Sequence, residues 1–222
     1  MNDKDLHRTR IKLCGLSTRE SVEHAVDIGA DAVGFVFYPP SPRAVSAAQA
    51  AELSKYVPPL VSAVGLFVNA TPDLIREVTS TVRLSVLQFH GDETPERCAE
   101  LAAMAGLPYW RAVRVSPDAS AADLIESSLQ YSAASGLLLD ALVDGFGGGG
   151  KVFDWSLIPT DLGHRAVLSG GLNAQNVHDA IRRVRPYAVD VSSGIEAAGA
   201  KGVKDHARME AFVRAVREAD AG

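Results

Sequence analysis

The 222-residue chain has only two cysteines, Cys14 and Cys98. That is too few for a disulfide framework, and no C-x-x-C is present to suggest a redox or zinc motif. The six histidines form no cluster with Asp or Glu at metal-ligand spacing, so the sequence calls for no metal. Basic residues are not in excess: 22 Lys plus Arg stand against 27 Asp plus Glu, a formal net charge of −5. A mainly electrostatic nucleic-acid binder would need the opposite balance to displace counterions. Apolar runs stay below the length that crosses a bilayer. The charged start, Met1 to Arg10, has no apolar stretch behind it and does not read as a secretory signal. The expectation is a cytoplasmic protein with reduced thiols and no nucleic-acid or membrane partner.

Glycine is the residue present in quantity, 19 in all, and it is clustered. Gly145 and Gly147 to Gly150 form one group, Gly170 and Gly171 a second, and Gly194 closes a third short motif. Glycine lets backbone N–H groups come close to a ligand. A chain of this length can bury a real core, with roughly 70–75% of its unfolded surface removed from water.

Short apolar runs alternate with amphipathic stretches throughout. Candidate strands are 11–14, 32–37, 61–68, 85–89, 109–115, 136–140, 166–168 and 188–191. Their nearly continuous apolar character suits parallel strands covered on both faces. Candidate helices lie between them. Ser17-Thr18-Arg19-Glu20 reads as a capping box, and Ser46 opens a second helix. Thr71-Pro72 and Thr94-Pro95 place proline at a first helical position. Further helices are expected over 119–131, from Asp154-Trp155, over 173–184 and over 204–219. Eight strand–helix units imply right-handed crossovers and an α/β fold, a single-domain (β/α)8 TIM barrel over residues 11–222 with a short N-terminal extension, 1–10. The competing doubly wound sheet usually carries G-x-G-x-x-G after its first strand. Cys14-Gly15-Leu16-Ser17 does not match it.

Such a barrel keeps its active site at the C-terminal strand ends. Those ends carry Cys14, Tyr38 to Arg43, Asn69, His90, Arg114, Asp140, Ser169-Gly170-Gly171 and Asp190-Val191-Ser192-Ser193-Gly194. The last two form a candidate phosphate site built from backbone N–H groups, hydroxyls and a helix N-terminus. Cys14 on residue type alone is either a small core hydrophobe or a general base. An unpaired buried carboxylate such as Asp140 is costly, so it reads as a general acid facing that base. Arg43 can fork onto a carboxylate or be an ordinary surface arginine. His90 reads as a structural histidine, Cys98 as core, and Arg182-Arg183-Val184-Arg185 as a solvated helix end.

At these residues the sequence resembles the phosphoribosylanthranilate isomerase family of tryptophan biosynthesis. The carrying motifs, in order, are Lys12-Leu13-Cys14-Gly15-Leu16, Gly34-Phe35-Val36-Phe37 with Ser41-Pro42-Arg43, Val64 to Asn69, Leu87-Gln88-Phe89-His90-Gly91, Leu139-Asp140, Gly147 to Gly150 with Phe153-Asp154-Trp155, Ser169-Gly170-Gly171-Leu172, and Asp190 to Glu196. Gly149 stands where the family usually has threonine, Leu16 replaces a commoner isoleucine, and the segment 197–202 is slightly longer than usual. The resemblance implies an Amadori rearrangement of N-(5-phosphoribosyl)anthranilate, needing no cofactor. It implies Asp140 as acid, Cys14 as base, and Arg43 on the anthranilate carboxylate. It further implies Gly170, Gly171, Ser192, Ser193 and Gly194 on the phosphate, with Asp190 orienting the sugar. The pocket is then expected to be locally positive, and the protein a monomer or homodimer. The alternatives are a pentose-phosphate epimerase-type barrel, which would favour metal-binding strand ends, and a catalytically inactive phosphosugar-binding module.

Overall fold

A computed structural model describes residues 8–142, 152–163 and 165–222. Eight parallel strands close into a barrel in chain order: β1 Arg10–Cys14, β2 Ala32–Phe37, β3 Ser62–Phe67, β4 Val86–Phe89, β5 Tyr109–Val115, β6 Gly136–Ala141, β7 Ala166–Leu168 and β8 Ala188–Val191. The expected strands agree to within one residue at either end. The helices are α1 Arg19–Asp27, α2 Ala47–Ser54, α3 Pro72–Thr81, α4 Pro95–Ala105, α5 Ala121–Gln130, α6 Thr160–Gly163, α7 Val177–Val184 and α8 His206–Ala221. The fold is therefore the expected single-domain (β/α)8 barrel.

Local chemistry starts the helices largely as expected. Thr71 and Thr94 cap α3 and α4, and Pro72 and Pro95 take the first helical positions. α5 and α8 each begin two residues later than expected, at Ala121 and His206, and three further details differ. The capping box of α1 uses Thr18 and Ser21, one residue later than Ser17 and Glu20. The segment after Asp154 forms a 3-10 turn, Trp155–Leu157, separate from the four-residue α6. α7 begins at Val177 rather than Asn173, because Asn173 and Asn176 spend their side chains on a turn: Asn176 Oδ1 accepts from Asn173 N at 2.8 Å, and Asn173 Oδ1 from Gln175 N at 2.9 Å. At the N-terminus, Arg10 already belongs to β1, and Thr9 binds Asp220 through both its backbone N–H and its hydroxyl.

The two-residue period of the strands sorts side chains between two compartments. Ile11, Leu13, Val33, Phe35, Leu87, Phe89, Leu137, Leu139, Leu168 and Val189 lie in the large core that includes the helices. In the barrel's own interior a small apolar cluster, Ala112, Leu138, Val167 and Ala188, occupies part of the space. The same inward parity brings Cys14, Val36, Leu66, Asp140 and Asp190 to a cavity at the C-terminal mouth. Cys98 is buried on α4 as expected, and Arg182, Arg183 and Arg185 are not part of the core.

Candidate active site

The mouth cavity has a volume of about 60 Å³. Cys14, Arg43, Asp140, Gly170, Gly171, Asp190, Ser192 and Ser193 all line it. Gly194 stands behind the rim, against the Leu172 carbonyl, which any side chain there would overlap. The glycine loop 147–150, including Gly149, lies outside the described residues.

Cys14 ends β1 and is buried. Gly34 beside it on β2 makes room: a Cβ there would sit 2.7 Å from Cys14 Sγ. Burial pushes the thiol above its ordinary pKa, the Lys12 and Lys204 ammoniums oppose this, and the Asp190 carboxylate adds to it.

Lys12, two residues back on the same face, is among the largest fully buried side chains. Its Nζ donates to Asp190 Oδ1 at 2.7 Å. Burial alone would push this ammonium down, but Asp190 and Cys14 together hold it above its usual value. Asp190 Oδ2 also accepts from Ser169 Oγ at 3.3 Å. Asp140, at the end of β6, meets His90: His90 Nε2 lies 3.1 Å from Asp140 Oδ2. Gly170 has φ +79°, and a Cβ there would come within 2.9 Å of Asp140 Oδ1.

Arg43 closes its fork on Glu196. Nε donates to Oε1 at 2.6 Å and Nη2 to Oε2 at 3.1 Å, both side chains being buried. Nη1 takes no part in that pair. Lys204 Nζ reaches Glu196 Oε1 at 3.1 Å, the Ser192 carbonyl at 2.9 Å and Ser192 Oγ at 3.2 Å. Burial pushes this ammonium down, partly offset by Glu196. Burial would raise the Glu196 carboxyl, but Arg43 and Lys204 outweigh it and hold it low. The Ser192 hydroxyl itself donates to the Cys14 carbonyl at 3.1 Å. The rim is therefore wired to the thiol's own backbone.

Sequence reasoning does not single out Lys12, Gln88, Glu196 or Lys204 as site residues. The two-residue strand period marks the first two, because residues 12 and 14, and 88 and 90, share a face. His90 reads as structural in the sequence, yet it lines the cavity and touches Asp140.

A thiol and a carboxyl at one mouth of a closed parallel barrel, beside a glycine–serine rim, put the candidate site where (β/α)8-barrel enzymes carry theirs, at the C-terminal strand ends. Comparison with known proteins carries this further. The model of the N-(5'-phosphoribosyl)anthranilate (PRA) isomerase family matches residues 11–215. The chain is 61% identical over 225 residues to the N-(5'-phosphoribosyl)anthranilate isomerase of Ralstonia nicotianae, covering 97% of this chain and 96% of that one. It is similar to the crystal structure of phosphoribosyl anthranilate isomerase from Thermotoga maritima, with TM-score 0.83 and 44% identity over 95% of this chain and 99% of that one. It is also similar to a phosphoribosyl anthranilate isomerase solved in complex with reduced 1-(o-carboxyphenylamino)-1-deoxyribulose 5-phosphate, with TM-score 0.80 and 41% identity over 95% of this chain and 99% of that one. The chain belongs to the phosphoribosylanthranilate isomerase family, enzymes of tryptophan biosynthesis.

Proposed function

We propose that the chain converts N-(5-phosphoribosyl)anthranilate to 1-(2-carboxyphenylamino)-1-deoxyribulose 5-phosphate, with Asp140 as general acid and Cys14 as general base. One observation carries the assignment: the two groups line the same cavity as Gly170, Gly171, Ser192 and Ser193. Asp140 gives its proton to the ribose ring oxygen, the bond from that oxygen to C1 breaks, and the nitrogen lone pair forms the iminium. The Cys14 thiolate takes the proton from C2, and the C–H electron pair forms the C1–C2 double bond and neutralises the iminium. The resulting enol passes its proton on as C1 gains one, leaving the ketone. No electron leaves the substrate.

The thiol must ionise before it acts. Lys12 and the positive iminium both favour the thiolate. The phosphate lies on the glycine–serine rim, where Lys204 sits behind Ser192. Asp190, held by Lys12 and Ser169, orients the sugar. Arg43 meets the anthranilate carboxylate through Nη1, its other nitrogens remaining on Glu196. A relative from Thermotoga maritima is described as dimeric, and the proposal for this chain is a monomer or a homodimer.

Loss of substrate fluorescence measures turnover directly. Asp140→Asn and Cys14→Ser are each expected to lower it by at least about 100-fold, the scale of acid–base catalysis. Near-normal turnover in either variant refutes that residue's role.

A further inference from the structure

Gln88 in β4 and His90, the residue just past its end, stand two residues apart and share the inward face. Both are buried. Gln88 Nε2 lies 3.0 Å from His90 Nδ1, and His90 Nε2 lies 3.1 Å from Asp140 Oδ2. The remaining amide atom, Gln88 Oε1, is buried without a hydrogen-bond partner among the described residues.

These contacts fix hydrogens. An amide nitrogen can only donate, so Nδ1 must accept, and a neutral ring then carries its single hydrogen on Nε2. That hydrogen faces Asp140 Oδ2. Turning the amide over would bury two N–H donors where Oε1 now sits without a partner, and stranded donors are rarer than stranded acceptors. The turn after His90 is itself braced: Glu93 accepts from Gly91 N at 2.9 Å, Asn69 N at 2.6 Å and Arg111 Nη1 at 2.8 Å. Among the described residues Asp140 Oδ1 is the oxygen left over, beside Gly170, where only a glycine leaves space.

We propose that Gln88 is a positioning residue for the isomerisation. It locks His90 in the Nε2–H tautomer, and His90 then grips Asp140 by Oδ2 alone. Oδ1 is left to hand its proton to the substrate, and the carboxylate that forms is met by a donor already in place. This rests on the acid role given to Asp140.

The full-length protein, labelled with nitrogen-15 histidine, tests the tautomer by NMR before any residue of the relay is altered. The resonance is assigned to His90 by its loss in His90→Asn. The expected signature is a neutral ring with bare Nδ1. An Nδ1–H tautomer, or a doubly protonated ring, overturns the proposal. Gln88→Met keeps the length and removes the donor. It is expected to mix the tautomers and lower kcat about 10–100-fold, the usual scale for a group behind a functional one, with KM within about twofold. A Gln88→Met enzyme with unchanged kcat also overturns it. If that variant fails to fold, the wild-type spectrum still decides. An active Asp140→Asn enzyme removes the acid assignment and the role of Gln88 with it, whereas an inactive one beside a normal Gln88→Met removes the role of Gln88 alone.

Discussion

Cys14 is the residue whose surroundings work against its proposed task. A base must lose its proton, yet burial raises the thiol's pKa and only Lys12 and Lys204 pull it back. The active form is the deprotonated one, and its share grows with pH until the raised pKa is passed. The thiol itself is therefore expected to ionise above the range of an ordinary thiol, near about 8.5. The rate of alkylation at Cys14 by iodoacetamide against pH, followed by mass spectrometry, reads the thiolate without the acid partner, and a midpoint at or below that of an ordinary thiol refutes it. The thiol's place is equally exposed to test. Gly34→Ala puts a Cβ 2.7 Å from Sγ and 3.1 Å from the Cys14 Cα, so the thiol must move and the strand end that carries it must give slightly. Turnover is expected to fall about 10–100-fold, as for a reacting group displaced by a fraction of an ångström to an ångström, with the melting temperature shifted by only a few degrees. Cys14 and Asp140 are legible in the sequence because a reactive side chain that ends an apolar strand falls at the mouth of a parallel barrel. Lys12 is not, because a single lysine in a short run looks like a solvated strand position. Only its shared face with Cys14 marks it as buried.

At the level of elements, the barrel closes where β1 meets β8, and Lys12 is the register partner of Asp190 across that seam. The 2.7 Å ion pair between them, 1% and 6% exposed, makes the seam electrostatic as well as hydrogen-bonded. Removing one partner leaves a buried charge without compensation. Lys12→Met is expected to destabilise the fold by about 3–5 kcal/mol. Removing both, as Lys12→Met with Asp190→Leu, is expected to recover most of that loss, since an apolar pair of similar bulk needs no desolvation. Turnover is not expected to return, because Asp190 lines the cavity. Denaturant melts of the two variants check this, and equal instability in both refutes the account. The strands themselves are readable to within a residue at each end, as buried parallel strands leave a continuous apolar trace. Helix starts are readable wherever threonine precedes proline. They drift where serine, threonine and asparagine compete for one cap, as before α1 and α7.

Over the whole molecule, most of the charge at the mouth is paired. Lys12 is neutralised by Asp190, and Arg43 and Lys204 share Glu196, so these five groups leave one positive charge in excess. Glu196 holds the mouth together. It faces Lys204 across a two-residue bridge and grips Arg43 from the loop after β2, so segments more than 150 positions apart depend on its charge. No local pattern announces this, because its partners meet only when the barrel closes. Acid should loosen it. Glu196 has a lowered pKa in the native state and an ordinary value of about 4.3 when unfolded. The unfolded chain then binds more protons, so this stabilisation is complete above the unfolded value and is lost as pH falls through the native one. Glu196→Gln is expected to melt lower than wild type at neutral pH, with the gap narrowing as pH falls below the ordinary glutamate range. An exposed control, Glu52→Gln, should track wild type throughout, since its partner Lys55 is also exposed. Calorimetry at several pH values decides the point. Parallel curves for wild type and Glu196→Gln would mean that the carboxylate's charge does not hold the mouth closed.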